Sequence, residues 1–158
     1  MTDVYKKLAT HLDNLPTGYP STDSGVELRI LKRLFTPEEA EIAITLTMMP
    51  EPVAGTAERT GRDPAALAEM SRKGLIFRIS KGDKTLYSAA QFVIGIWEYH
   101  VNSLDEDLIR DVNEYMPTLM KKGLLSAKTQ QLRVVPVAKS VSAEMAVMPF
   151  EAAEAIIN

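Results

Sequence analysis

The hydrophobic positions between residues 53 and 87 predict two helices followed by a two-stranded hairpin. Gly61 can adopt the left-handed backbone conformation that closes a first helix. Asp63 offers a carboxylate N-cap for a second helix, and Pro64 suits its first helical position. Gly74 then ends this second helix, whose apolar residues at three-residue spacing let it pack back on the first.

The residues after Gly74 change from a helical to an extended pattern. Two β-capable runs, Leu75–Ile79 and Thr85–Ala89, are joined by the turn-forming segment Ser80–Lys84. Helix, tight turn, helix and hairpin in this order are typical of a winged helix-turn-helix. The pattern therefore predicts that fold for the centre of the chain.

Helical spacing of apolar residues also predicts helices outside this central region. They cover residues 3–13, 26–34, 37–47, 91–101 and 103–123. Ser24–Glu27 and Thr36–Glu39 match the capping-box pattern in front of two of these helices. For residues 91–101, which are dense in large apolar groups, a strand is the lesser alternative.

The last residues combine extended and helical patterns. Residues 132–138 and 146–148 read as extended segments, and Pro149 begins a final helix with acidic residues in its first turn. The fold class we expect is mainly α with a small β-hairpin wing. A winged-helix domain would cover residues 1–100, and a helical and extended appendage would cover residues 101–158. Because the last helix has no terminal cap, we expect the natural chain to continue past Asn158.

Composition narrows the chemistry available to this chain. The 158 residues are 46% hydrophobic and 25% charged, which is ordinary for a soluble globular protein, and we expect it to be cytoplasmic. No apolar run approaches the roughly 20 residues of a membrane helix, and the first residues do not form a secretory signal. With no cysteine, the chain offers no disulfide, no thiolate zinc ligand and no iron–sulfur ligand.

The sequence contains no recognisable catalytic, cofactor-binding or metal-binding constellation. His11 and His100 are far apart in sequence, and neither has a motif neighbour. The glycines are too scattered to form a phosphate-binding loop. Acidic pairs stand at predicted helix starts, where they favour the helix dipole. We therefore assign no catalytic, cofactor or metal residue.

Charge is distributed unevenly along the chain. Between Arg59 and Lys84, seven cations stand against three carboxylates, a local charge of +4 in a chain of net charge −3. A basic patch of this kind is the electrostatic signature of duplex binding. The candidate nucleic-acid-binding residues are Arg62, Arg72, Lys73, Arg78, Lys81 and Lys84. Against base-specific recognition, the second helix presents alanines at the positions that would read base edges.

Several segments resemble one protein family. Leu15–Pro20, Ser24–Ala40, Phe92–Glu98 and Arg133–Val137 are similar to the N-terminal region of ferredoxin-type 4Fe-4S binding proteins of anaerobic bacteria and archaea. In that family a winged-helix region precedes a cysteine-rich portion that binds the clusters. The resemblance implies that this chain is the accessory region of a longer electron-transfer protein, and that 4Fe-4S clusters occur only in the missing portion.

Two functional hypotheses follow. The first is a non-catalytic winged-helix module that docks its own cluster portion or a redox partner. The alternative is a DNA-binding winged-helix transcriptional regulator. The aromatic run Phe92, Trp97 and Tyr99 is expected in the core, with a homodimer contact as the other option. No membrane partner is expected.

Overall fold

The structure, a computed structural model, describes residues 3–126. The described chain is mainly helical, with one small antiparallel sheet. Its elements are α1 (Val4–Asp13), α2 (Val26–Leu34), α3 (Pro37–Thr45), β1 (Glu51–Pro52), α4 (Val53–Thr60), α5 (Pro64–Arg72), β2 (Ile76–Lys81), β3 (Lys84–Ala89), α6 (Trp97–Tyr99) and α7 (Glu106–Thr118). After α7, Leu119–Leu124 forms a wider helical turn. None of the helices in residues 3–126 is long and apolar enough to cross a membrane.

The two central helices and the hairpin are present as predicted. Gly61 ends α4 in the left-handed conformation, and the Asp63 side chain caps α5 by accepting from the Ala65 amide. The hairpin is tighter than predicted, because β2 and β3 pair up to Lys81 and Lys84 and leave a two-residue turn. The short strand β1 pairs with the other edge of β3, so the strand order is β1-β3-β2.

The two capping-box patterns had different outcomes. Thr36 and Glu39 form the predicted box in front of α3, with both reciprocal hydrogen bonds present. The prediction for Ser24–Glu27 was wrong. Gly25, in the left-handed conformation, is the N-cap of α2, and the Glu27 carboxylate instead accepts from Thr22. Glu27 is buried, so its contact with the preceding loop took precedence over the local motif.

Three aromatic rings form the centre of the core. Tyr19, Phe92 and Tyr115 are all buried, with ring centroids 4.9 to 6.0 Å apart. The buried hydroxyls are satisfied by backbone carbonyls: Tyr19 donates to Glu27 O at 2.9 Å, and Tyr115 donates to Pro20 O at 3.0 Å. Because Tyr115 lies on α7, the first helix of the predicted appendage belongs to the same core.

The prediction of a helix over residues 91–101 was wrong for most of this segment. Val93 and Gly95 have non-helical backbone angles, and Ile94 has a φ of 59°, which is rare for a β-branched residue. Regular α-helix is confined to Trp97–Tyr99. Phe92 is buried as expected, but Tyr99 is 58% exposed. Phe92 packs in the core against Tyr19 and Tyr115, and this tertiary packing overrides the helical pattern of the segment.

An ion cluster ties α7 to α2. The Asp111 carboxylate is buried and accepts from Arg29 and from Arg33, whose Nε lies 3.1 Å away. Asp107 and Glu114, at the exposed margins of the cluster, pair with Arg33 and Arg29. Burial of an aspartate on an otherwise apolar helix face is stabilising only because both arginines reach it.

Some sequence predictions remain predictions. The extended segments at 132–138 and 146–148 and the helix from Pro149 lie outside the described residues. The division into domains at residue 100 and the continuation past Asn158 are likewise untested.

Candidate functional site

The first turns of helix α5 present small apolar side chains to solvent. Leu67 and Met70 are buried against the core, which turns Pro64, Ala65 and Ala68 toward solvent. These three side chains carry no hydrogen-bonding group. The side chains that these first turns present to solvent therefore have no group that could read a base edge.

Three of the six candidate cations are held by carboxylates of the same chain. Arg62 pairs with Glu41 of α3 at 2.8 Å, and Lys73 pairs with Glu39 at 2.7 Å. Arg72 makes two hydrogen bonds to Glu69, at 2.9 and 2.6 Å.

The hydrogen bonds between Arg72 and Glu69 shift the pKa values of both groups. Hydrogen bonding to Arg72 lowers the pKa of Glu69, and the same bonds raise the pKa of Arg72. Each group thus favours the charged form of the other, and the two charges compensate each other locally.

The other three candidate cations lie on the hairpin. Arg78 of β2 stands opposite Tyr87, and Lys81 and Lys84 are register partners beside the turn. All three side chains are exposed, and none has a carboxylate partner within residues 3–126. The positive charge still available to a partner in this region is therefore on the hairpin and not on α5.

One side of the hairpin combines these lysines with apolar groups. Side chains alternate along a strand, and paired residues share a face, so Ile79 and Leu86 lie on the same side as Lys81 and Lys84. We call the set Phe77, Ile79, Lys81, Lys84 and Leu86 the hairpin face.

Apolar exposure continues along the hairpin face and beyond it. Ile79 is 42% exposed, and Phe77 and Leu86 are half-buried. The Phe77 ring meets Tyr99 edge-on with a centroid distance of 5.9 Å, which extends the apolar surface toward the chain after the sheet. Sequence reasoning missed this face, although the alternation of Phe77, Arg78 and Ile79 was a usable signal.

The six candidates thus fall into three groups. Arg62 pairs with α3, and Arg78, Lys81 and Lys84 lie on the hairpin. Arg72 and Lys73 line a separate cleft together with residues of α2 and of the segment before α7.

Two further questions about the site are whether its residues could hold a metal ion and whether the chain is similar to known proteins. Within residues 3–126, no group of three histidine or carboxylate side chains is arranged to hold a metal ion. Comparison of the chain with models of protein families, with curated proteins and with solved structures gave no match.

Proposed function

We propose that the chain is a non-catalytic winged-helix module that docks a protein through the hairpin face. The order α3, β1, α4, α5, β2, β3, with β3 between the other two strands, supports assignment to the winged-helix class. The observation that carries the docking proposal is the composition of the hairpin face. It joins the exposed Ile79 and the half-buried Phe77 and Leu86 to two lysines that have no carboxylate partner in the described residues.

A protein is the partner that this surface fits best. Interfaces combine an apolar centre with a polar rim, and here Ile79 and Leu86 would form the centre while Lys81 and Lys84 form the rim. The complementary surface would carry an apolar side chain flanked by carboxylates. The family resemblance of the sequence suggests the cluster-binding portion of a longer 4Fe-4S protein, or its redox partner, as that surface.

DNA binding is the second candidate, favoured by the unpaired cations Arg78, Lys81 and Lys84. Three phosphate contacts would give only weak binding, and the exposed side chains in the first turns of α5 offer nothing to specify a sequence. The internal ion pairs of Arg62, Arg72 and Lys73 weaken this candidate further, because each would have to be broken to contact phosphate.

The reading frame of the gene provides the first test. A run of Cys-x-x-Cys-x-x-Cys downstream of Asn158 supports the iron–sulfur proposal, whereas a stop codon directly after Asn158 refutes it.

Docking on the hairpin face can then be measured by amide hydrogen exchange. We expect the β2 and β3 amides to exchange more slowly in the longer protein than in the 158-residue chain, because the docked portion covers the hairpin. Ile79→Asp should remove this extra protection. Ile109→Asp is the matched control, since Ile109 on α7 is 41% exposed and Ile79 is 42% exposed. Equal exchange in the two proteins would refute docking at this face.

Titration with random duplex DNA at low and moderate salt separates the two candidate functions. A docking module should show no salt-sensitive binding. If binding is observed, Lys81→Gln with Lys84→Gln should weaken it equally on every sequence. The salt slope should then fall by up to ~0.9 for each lost phosphate contact. That result would favour the DNA-binding alternative.

A further inference from the structure

A pocket lies between α1 and the start of α2. Helix α1 contributes four residues at the spacing of a single helix face: Lys6, Ala9, Thr10 and Asp13. The loop after α1 and the first turn of α2 contribute Tyr19, Ser21, Glu27 and Leu28. The volume of about 310 Å³ is at the lower end of the range of roughly 300–1,000 Å³ that is usual for small-molecule sites. The pocket therefore suits a molecule of amino-acid size.

Glu27 is a buried carboxyl group that has no cationic partner. The residue is only 4% exposed, and it lies in the first turn of α2, where the helix dipole favours a carboxylate. Its Oε2 accepts from the amide and the hydroxyl of Thr22, but its Oε1 has no hydrogen-bond partner within residues 3–126. Because a buried carboxylate is stabilised by a hydrogen-bonded cation, the ammonium group of a ligand would supply the missing partner.

The two other charged groups of the lining are also without an ion pair. Neither Lys6 nor Asp13 pairs with an oppositely charged group in the described part of the chain. Asp13 uses Oδ1 to accept from the Tyr19 amide at 2.8 Å, which leaves Oδ2 available. Lys6 and Asp13 are seven residues apart, or about 10 Å along the axis of α1. The face of α1 that lines the pocket thus has a cation near one end and a carboxylate near the other.

The two carboxylates of the pocket act on the same part of the interior. The pKa of the Tyr115 hydroxyl is raised, first by burial and then by the charges of Glu27 and Asp13. Both carboxylates therefore lie near enough to Tyr115 to influence its ionisation. Negative charge is concentrated on this side of the pocket, and Lys6 is two helical turns away from Asp13.

We propose that this pocket binds a free α-amino acid with an aliphatic side chain. The ammonium group would bind Glu27 Oε1 and Asp13 Oδ2, and the carboxylate would bind Lys6, whose flexible stem can reach along the helix. The side chain would contact Ala9 and Leu28, the aliphatic members of the lining. This inference does not depend on docking at the hairpin face, because the pocket contains none of the five hairpin-face residues.

Isothermal titration of the 158-residue chain with L-valine and L-leucine tests the proposal. Each amino acid is compared with the amine that lacks its carboxylate and with the acid that lacks its ammonium group. We expect saturable binding of at least one amino acid. Its amine should bind about twofold to fivefold more weakly, because the contact with the exposed Lys6 is lost, and its acid should not bind. The proposal is overturned if neither amino acid binds, or if the amine or the acid binds as tightly as the amino acid.

Variants locate the two ends of the ligand. Glu27→Gln should weaken binding of the amino acid and of its amine by about tenfold to a hundredfold, the usual effect of losing a charge-assisted hydrogen bond. Lys6→Gln should weaken binding of the amino acid but not of the amine, which has no carboxylate for Lys6 to bind. Circular dichroism checks the fold of each variant. Lys6 is exposed and has no internal ion pair among the described residues, so this second variant remains informative if Glu27→Gln fails to fold.

The matched controls are Lys7→Gln and Asp23→Asn, which make the same changes of charge at exposed residues outside the pocket. Both controls should bind the amino acid as the unmodified chain does. Losses in the controls equal to those in the pocket variants would indicate a nonspecific charge effect and refute the assignment. An equal loss of amino acid and amine binding in Lys6→Gln would also refute it.

Discussion

Asp111 on α7 should be the most important ionic residue of the described fold. Its side chain is only 3% exposed, yet it carries a charge that two arginines of α2 neutralise. Asp111→Ala removes the carboxylate and leaves Arg29 and Arg33 without their shared partner.

The expected cost follows from the exposure of the groups left behind. Removing one member of a fully buried ion pair costs roughly 3–5 kcal/mol. Here Arg29 and Arg33 are 46% and 35% exposed, so water can solvate them after the change. We therefore expect a loss of about 2 kcal/mol in the free energy of unfolding, comparable to hydrogen bonds to a charged group. For a chain of this size, that corresponds to a fall in Tm of roughly 4–8 °C.

Urea denaturation followed by circular dichroism measures this change. Glu114→Gln is the matched control on the same helix, because Glu114 also pairs with Arg29, at 2.9 Å, but is 43% exposed. An exposed pair of this kind contributes up to about 1 kcal/mol. The reasoning is refuted if Asp111→Ala costs less than Glu114→Gln, or if it changes the unfolding free energy by less than about 0.5 kcal/mol.

Two further predictions concern pH and backbone packing. Burial lowers the pKa of His11, whose Nε2 has no hydrogen-bond partner among residues 3–126, while a backbone hydrogen bond at Leu46 opposes the shift. As pH falls below about 6.5, the unfolded chain binds the proton first, so stability should drop until the folded pKa is passed. Urea midpoints at pH 7.5 and 5.5 should differ less in His11→Gln, and equal differences would contradict this cause. Gly123→Ala should cost about 1–3 kcal/mol because the new Cβ would lie 2.7 Å from the Thr17 carbonyl oxygen. A Cβ added at Gly55 in α4 would meet no atom of the described residues within 4 Å, so Gly55→Ala should stabilise by about 0.5–1 kcal/mol. A change of the same sign in both variants would count against the packing argument.

The sequence by itself determined the helix ends that depend on residues close together in the chain. Thr36 and Glu39 cap α3 through bonds that span three residues, and Asp63 caps α5 through a bond that spans two. Gly61 ends α4 because a left-handed residue is needed there. Interactions over such short sequence separations form wherever no other contact competes for the side chains, as the contact with Thr22 does for Glu27. The pattern of residues was therefore sufficient to predict these three.

Tertiary packing decided residues 91–101, where the local signal was ambiguous. An apolar run is compatible with a helix, a strand or an irregular buried segment. Phe92 enters the core beside Tyr19 and Tyr115, and Gly95 packs close to the Phe77 ring. Satisfying both contacts bends the chain at Val93 and Ile94, which no pattern within the segment encodes.

In the candidate site, too, the sequence determined some features and the tertiary structure decided others. The sequence determined that cations are concentrated between Arg59 and Lys84, and that α5 carries few groups able to read bases. Only the tertiary structure decided which charges remain available, because Glu41 and Glu39 of α3 neutralise Arg62 and Lys73 across more than 20 and 30 residues of sequence. A charge count along the chain cannot detect such pairs, since electrostatic interaction depends on distance in space rather than on separation in sequence.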